Sequence, residues 1–392
     1  MPLKNSFIYK PQEDSALLEK YVKTYAKGRV LDIGTGSGIQ AIAAAQNSNV
    51  ASVLATDIQK KAIEHCKKNI KNTKIKFLQS DLFKKIKGKF DTIIFNPPYL
   101  PQELKLRDLT IEGGEKGYEI MQKFICEVNK FLSEDGIVLM VFSSLTKKEK
   151  VEEFIKNSLL DFKELEKLHI FFEDIYVYLL RKNDLLRQLE KRGIKNVKYL
   201  AKGHRGLLFT GFYKNRKAAI KSKNPQSTAV NRIENEAKWI KLLNRHNIGP
   251  RLLISNKDYF VYRYIDGDFI IDAIKKSDKI KIKKLIRNIF SQMSALDKLK
   301  VDKGEMHRPL KHIIIKKDKP YLIDFERARH AQNPKNVTQF CQFLMSGRMR
   351  NILANKDIKF DRLALIRLAK VYKSKQTLKN FKDILKLFQY EG

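Results

Sequence analysis

The most constraining feature of this chain is an apolar run, Gly28-Arg29-Val30-Leu31-Asp32-Ile33, that ends in Gly34-Thr35-Gly36-Ser37-Gly38 and leads into Ala-rich Ile39–Gln46. A buried strand, a glycine turn and a helix in direct succession let backbone approach a ligand closely, with the helix N-terminal amides facing it. The pattern then repeats. Ala51–Ala55 reads as a second strand with Asp57 at its end, followed by a Lys-rich amphipathic helix over Gln59–Lys71, and Lys76–Leu78 reads as a third strand ending near Asp81. Phe90–Phe95 is a fourth strand, stopped by Asn96-Pro97-Pro98 because proline cannot donate to a ladder and restricts the residue before it. Gly136–Phe142 and His169–Leu180 read as closing strands. This alternation predicts a Rossmann-like α/β domain, a parallel, doubly wound sheet that binds ligands beyond the carboxyl ends of its strands.

Taken alone, the glycine turn fits an ordinary strand-to-helix turn or a nicotinamide site as well. Asp57, about 20 residues further on, supplies a carboxylate for both hydroxyls of a ribose, and Asp81 one for an adenine amino group. Polar groups at three successive strand ends predict an S-adenosylmethionine site of the class I methyltransferase type. Its expected members are Asp32, Gly34, Thr35, Gly36, Gly38, Asp57, Ile58, Asp81, Leu82 and Asn96. The segment Asn96-Pro97-Pro98-Tyr99 then selects the nucleophile. A planar amide or amino nitrogen is a weak nucleophile because its lone pair is delocalised. If the Asn96 side-chain oxygen and the Pro97 carbonyl each accept one N–H, density stays on nitrogen and its lone pair is aimed, so catalysis is orientation and electrostatic preorganisation. The two prolines fix the carbonyl direction, and the Tyr99 ring covers the planar group.

These motifs resemble the HemK-type amino-nitrogen methyltransferases, which act on a glutamine of peptide release factors. The resemblance runs over roughly residues 7–182. It includes Tyr9-Lys10-Pro11-Gln12-Glu13-Asp14-Ser15, the glycine turn, Asn96–Tyr99 and Glu112-Gly113-Gly114-Glu115-Lys116-Gly117, and it is nearest the archaeal and eukaryotic branch. It implies that Glu13 and Asp14 border the cofactor pocket, that Gly113 and Gly114 help position the substrate loop, and that a small zinc-ribbon activator subunit takes part. The Asn-Pro-Pro-Tyr segment also occurs in methyltransferases of exocyclic amines in DNA and RNA, so it specifies the amine and not the polymer that carries it.

The second half differs in charge. Residues 1–182 hold 30 basic and 24 acidic side chains, residues 183–392 hold 49 and 19, and the net charge is +36. Such a field favours polyanions, and RNA contact through the second half is expected. The Lys-rich composition also fits thermophile usage. A linking helix is read over Asn183–Lys195, strands over Tyr199–Tyr213, Ala218–Lys221 and Tyr259–Tyr264, and helices over Asn231–Asn244 and Lys279–Leu299. Gly203-His204-Arg205-Gly206, then Lys221, Glu236 and Asp324 in Leu322-Ile323-Asp324-Phe325-Glu326, resemble a small α+β protein-kinase-like domain of the KEOPS or RIO type over residues 184–335. The resemblance implies ATP at Gly203, Gly206 and Lys221, a Lys221–Glu236 pair and magnesium at Asp324. The catalytic loop departs from that pattern: in Glu305-Met306-His307-Arg308-Pro309-Leu310-Lys311-His312, Pro309 or His307 stands where the aspartate belongs, and Glu305 is a substitute acid.

The expected organisation is therefore a methyltransferase domain over residues 1–182 and a kinase-like domain over 183–392. No apolar run of signal-peptide type follows Met1, and no stretch nears the ~18 apolar residues of a membrane span, so a soluble, cytoplasmic protein is expected. Cys66, Cys126 and Cys341 are too scattered for a disulfide framework or zinc site. Three activities fit: methylation of a release-factor glutamine, methylation of an exocyclic amine in RNA or DNA, and an atypical serine/threonine kinase with a helper methylase.

Overall fold

The computed structural model describes residues 11–101, 112–202, 206–224 and 232–388. Tyr9 and Lys10 of the first motif, and Gly203, His204 and Arg205, lie outside the described residues. The chain divides into two compact units, Met1–Tyr199 with Phe212–Lys214, and Leu200–Gly211 with Asn215–Gly392. Among the described residues, no helix is long and apolar enough to cross a membrane.

The first unit opens with α1 (Glu13–Tyr25), β1 (Gly28–Ile33), α2 (Ile39–Gln46), β2 (Val50–Asp57), α3 (Lys60–Asn69), β3 (Ile75–Gln79) and β4 (Phe90–Phe95). Two short strands, β5 (Leu100–Pro101) and β6 (Glu112–Gly114), precede α4 (Glu119–Val128), β7 (Leu132–Ser143), α5 (Lys148–Asn157), β8 (Leu160–Ile170), β9 (Glu173–Lys182) and α6 (Asp184–Lys191). Seven strands form one sheet in the order β3-β2-β1-β4-β7-β9-β8. One face is covered by apolar residues of α1 and α2, including Leu18, Val22, Ala41 and Ala44. The other is covered from α4 and α5 by Met121, Phe124, Val151 and Ile155. Burial on both faces explains why β1 and β4 are apolar runs and not alternating ones.

The sheet is a class I methyltransferase sheet and departs from the expected all-parallel one. Pairing is parallel from β3 through β7, but β9 runs antiparallel to both β7 and β8. The single strand expected over His169–Leu180 is the end of β8, the turn of this hairpin and most of β9. Its reversal is made by Phe171 at φ 48° and Phe172, with no glycine, proline or asparagine to mark it. Both phenylalanines are exposed.

From Ile194 on, β10 (Ile194–Lys202), β11 (Gly206–Tyr213), β12 (Arg216–Lys223), β13 (Leu252–Ser255) and β14 (Tyr259–Arg263) form a sheet of order β10-β11-β12-β14-β13, with α7 (Arg232–Asn244) between β12 and β13 in sequence. The expected linking helix is shorter than 183–195. It stops at Lys191, Gly193 turns at φ 80°, and Ile194 and Lys195 are already in strand. The strands expected around the glycines of 199–213 are the end of β10 and the whole of β11. Helices dominate the rest, from α8 (Ile270–Lys276) and α9 (Lys279–Lys298) to α10 (Asn336–Leu344), α11 (Gly347–Ala354), α12 (Arg362–Ser374) and α13 (Leu378–Lys386). They enclose a separate core around Leu285, Phe290, Phe340 and Ile384.

Candidate active site

Chain direction across the sheet reverses between β1 and β4: β2 and β3 lie on one side, β7 on the other. Parallel neighbours diverging at such a point leave a crevice beyond their carboxyl ends. The register pairs Ile33 with Phe95, so the glycine turn and Asn96 leave the sheet side by side. A Cβ on Gly34 would lie 3.7 Å from the Asn96 carbonyl oxygen. The resulting cavity, of about 540 Å³, is lined by residues of the turn, by Asp57, Ile58, Asp81 and Leu82, by Asn96–Tyr99, and by Asp14 and Ser15 of α1.

The turn is fixed from beneath. Gly34 and Thr35 N–H groups both donate to the Thr56 carbonyl at 2.8 Å, and the Gly36 N–H donates to Asp57 Oδ2 at 3.0 Å. Gly38 has φ 87°, and a Cβ there would come within 2.4 Å of Ile70 Cδ1, so only glycine closes the turn onto α3. Asp32 is buried and accepts from the Thr35 hydroxyl at 2.6 Å. It shapes the turn and, with Gly38 and the exposed Glu13, is absent from the cavity wall. Asp57 holds the Gln59 N–H at 2.9 Å through Oδ1 and stays on the wall. Burial pushes its carboxyl above the ordinary range against these donors. Ile58, exposed and apolar, and Leu82 stand beside it. Asp81 is ion-paired with Lys84 at 2.6 Å.

Asn96 is gripped from α1. Its Nδ2 donates to Asp14 Oδ2 at 3.1 Å and to Ser15 Oγ at 3.2 Å, and the Tyr99 hydroxyl donates to Asp14 Oδ2 at 3.4 Å. Behind the Asn-Pro-Pro-Tyr loop runs the segment from Glu112. A Cβ on Gly113 would lie 2.7 Å from the Pro98 carbonyl oxygen and 2.2 Å from that of Gly117. Gly113 thus supports the loop by close backbone approach. Sequence reasoning missed Gln40, Ile120, Lys123 and Glu173, which all line the cavity. Gln40 is 3% exposed, and its Oε1 has no hydrogen-bond partner among the described residues. Glu173 arrives through the hairpin and accepts from the Ser143 hydroxyl. No local sequence signal marks these residues.

The donor set fits S-adenosylmethionine. Asp57 offers acceptors, Ile58 and Leu82 an apolar wall, and Gln40 Oε1 is a buried acceptor that no donor among the described residues meets. Asp32 makes the turn pH-sensitive. Burial, followed by the Asp57 charge, pushes its carboxyl up from 3.8 to about 7. The protonated form therefore stabilises the fold, fully below the ordinary value and progressively less as pH rises through about 7. Asp32→Asn, which keeps an acceptor for Thr35, is expected to be the more stable form at pH ~8 by on the order of 2–4 kcal/mol, with the advantage vanishing near pH ~4. Thermal melts of both proteins across that range check this, and a difference independent of pH would refute it.

The second unit gathers Lys221, Glu236 and Asp324 as expected. Lys221 Nζ lies 2.6 Å from Glu236, 3.4 Å from Asp324 and 3.9 Å from Glu326. Burial alone would depress the Lys221 ammonium, but Glu236 and then Asp324 outweigh it and hold its pKa above the ordinary value. Gly206 starts β11 beside Lys221: a Cβ there would come within 3.5 Å of Lys221 Cε. His312 stands between Glu305, at 3.6 Å, and Asp324, at 3.8 Å. The fully buried Lys303 donates to the Asp324 carbonyl at 2.8 Å. Oxygens of Glu236, Asp324 and Glu326 lie within 4.8 Å of one another, a spacing suited to a hard divalent cation.

Residues 10–171 match the family described as the methyltransferase small domain. A Methanocaldococcus jannaschii protein named as a candidate protein N5-glutamine methyltransferase is 40% identical over 146 residues, 36% of this chain and 74% of that protein. The release factor glutamine methyltransferase of Agrobacterium fabrum is 30% identical over 31% of this chain and 47% of its own length. The ribosomal RNA small subunit methyltransferase C of Actinobacillus succinogenes is 32% identical over 32% and 35% respectively. The chain thus spans less than half of either bacterial relative. With its glycine turn, its Asp57 wall and its Asn96 loop in one cavity, the chain belongs to the methyltransferase small-domain family of S-adenosylmethionine-dependent N-methyltransferases.

Proposed function

We propose that residues 1–182 methylate an amide nitrogen, and that the acceptor is the glutamine side chain of a peptide release factor. The observation that carries this is the position of Asn96-Pro97-Pro98-Tyr99, which leaves β4 into the wall of the cavity that also holds Gly34, Gly36 and Asp57. The glutamine in the names of the archaeal and release-factor relatives supports the same acceptor group. Gly34, Thr35, Gly36, Asp57, Ile58 and Leu82 would hold S-adenosylmethionine, which supplies an electrophilic methyl group when bound. Asn96 Oδ1 and the Pro97 carbonyl would accept the two N–H groups of the amide, keeping density on nitrogen without a prior deprotonation. A zinc-ribbon activator subunit belongs to this reading and is tested by assaying with and without it.

The competing acceptor is an exocyclic amine of RNA or DNA, favoured by the charge of the second half and by the ribosomal RNA relative. Labelled methyl from S-adenosylmethionine, offered with purified release factor, RNA and DNA in parallel, separates the two. Label on protein is expected. Label on nucleic acid alone would make the basic half the substrate-binding arm.

For the second unit we propose a kinase-like nucleotide-binding module, supported by Lys221 held between Glu236 and Asp324. Lys221 would face phosphate oxygens, and Asp324 with Glu326 would hold magnesium. In this reading Glu305, 3.6 Å from His312, would serve as the acid for an acceptor hydroxyl, so phosphotransfer is tested by incorporation of labelled phosphate from ATP. Incorporation abolished by Asp324→Ala supports the kinase reading, whereas ATP binding without incorporation supports a docking module.

A further inference from the structure

An asparagine amide can present either its oxygen or its NH₂ group to a substrate, and the two ends have opposite hydrogen-bonding character. At Asn96 the choice is made by α1. The nitrogen carries two N–H groups, and Asp14 Oδ2 at 3.1 Å and Ser15 Oγ at 3.2 Å are acceptors for both. An ionised carboxylate only accepts, so a flipped amide would set Oδ1 against Asp14 Oδ2. Oδ1 is thereby the end left to turn toward a substrate N–H. The two gripping residues are themselves fixed. Asp14 is 3% and Ser15 2% exposed, in the first turn of α1, where the helix dipole favours an anion. The Ser15 carbonyl accepts from Gln40 Nε2 at 2.8 Å, which ties α1 to α2 of the glycine turn. Asp14 Oδ2 also accepts from the Tyr99 hydroxyl at 3.4 Å, so a single oxygen gathers the first and last residues of the Asn-Pro-Pro-Tyr loop.

We propose that Asp14 and Ser15 are positioning residues that lock the Asn96 amide with Oδ1 toward the acceptor nitrogen. In this role Asp14 serves methyl transfer and not cofactor affinity, although it shares the cavity wall. The proposal rests on the reading in which Asn96 Oδ1 accepts a substrate N–H.

Asp14→Asn keeps the shape but offers an NH₂ group, so Asn96 becomes free to flip. Methyl transfer is measured on whichever of release factor, RNA or DNA the wild-type chain labels, and S-adenosylhomocysteine binding is measured by calorimetry. Loss of one charge-assisted hydrogen bond predicts a kcat roughly 10- to 100-fold lower. KM for the acceptor and Kd for S-adenosylhomocysteine should move less than about threefold. Ser15→Ala, which removes the weaker acceptor, should lower kcat by roughly 3- to 10-fold. The exchange Asp14→Asn with Asn96→Asp restores a donor-to-carboxylate contact and leaves one carboxylate oxygen for substrate. It should transfer methyl faster than Asn96→Asp alone, where two carboxylates face each other. Asp14→Asn with unchanged kcat, or with Kd weakened as much as kcat falls, would overturn the lock while leaving the Asn96 reading intact. Wild-type transfer by Asn96→Ala would overturn both.

Discussion

Asn96→Ala is expected to lower methyl transfer by roughly 100- to 1,000-fold, the usual cost of removing one preorganised group that stabilises developing charge. The same variant should bind S-adenosylhomocysteine within about threefold of wild type, because its loss falls on the transition state. The division follows from geometry. The cofactor side of the cavity is built from the turn after β1 and from Asp57 at the end of β2, each held by bonds from backbone N–H groups that do not involve the Asn96 side chain. Asn96 is instead bound to α1, through Asp14 and Ser15. Truncation removes one donor from each of these two acceptors, so part of the effect will be local loosening of α1. The check is a binding isotherm beside single-turnover transfer on the same preparation. Loss of cofactor binding as large as the loss of transfer would remove Asn96 from the assigned role.

Lys221→Met is expected to destabilise the second unit by ~3–5 kcal/mol, the range for breaking a buried ion pair from one side. The Glu236 side chain is 3% exposed and lies 2.6 Å from the ammonium. Burial already pushes the Glu236 carboxyl above its ordinary value, against the attraction of Lys221. With the ammonium gone the carboxyl moves higher still, and a raised folded-state pKa means stability that is present at low pH and lost as pH rises. The penalty should therefore be smaller at pH ~5 than at pH ~8. Adding Glu236→Gln should recover part of it, since the orphaned charge is removed and an acceptor is kept for the Phe325 N–H, now 3.2 Å away. Denaturant titration of the full chain at both pH values measures this. A penalty below ~1 kcal/mol, the range of exposed pairs, would mean that Lys221 and Glu236 are not coupled.

What was legible in the sequence lies in contiguous segments whose chemistry is local. The run into Gly34–Gly38 shows its turn because φ values of 72°, 51° and 87° at Gly34, Gly36 and Gly38 demand glycine. Asn96-Pro97-Pro98 marks its strand end by what proline forbids. The 160–182 hairpin was not legible, because Phe171 adopts a left-handed turn without a residue type that favours one, and the apolar flanks read as continuous strand. Glu173 was lost with it, since only antiparallel return beside β7 brings it to the cavity. Gln40 was hidden by its Ala-rich helix, where an apolar pattern gives no cue to one buried amide. Ser15 was visible in its motif, but its contact with Asn96 depends on how α1 crosses the sheet. In the second unit, spacing suggested Lys221, Glu236 and Asp324. The pairing of His312 with Glu305 and Asp324 needed three dimensions, because the loop between Lys303 and Ile313 fits more than one register.

The atom that receives the methyl group decides between a glutamine amide and every other acceptor. Fragment mass spectrometry of release factor incubated with the 392-residue chain and isotopically labelled S-adenosylmethionine tests this most directly. One added methyl on the side-chain nitrogen of a single glutamine, absent with Asn96→Ala, is the predicted result. Label on a carboxylate, a lysine or a nucleobase, with the glutamine unmodified, would contradict it.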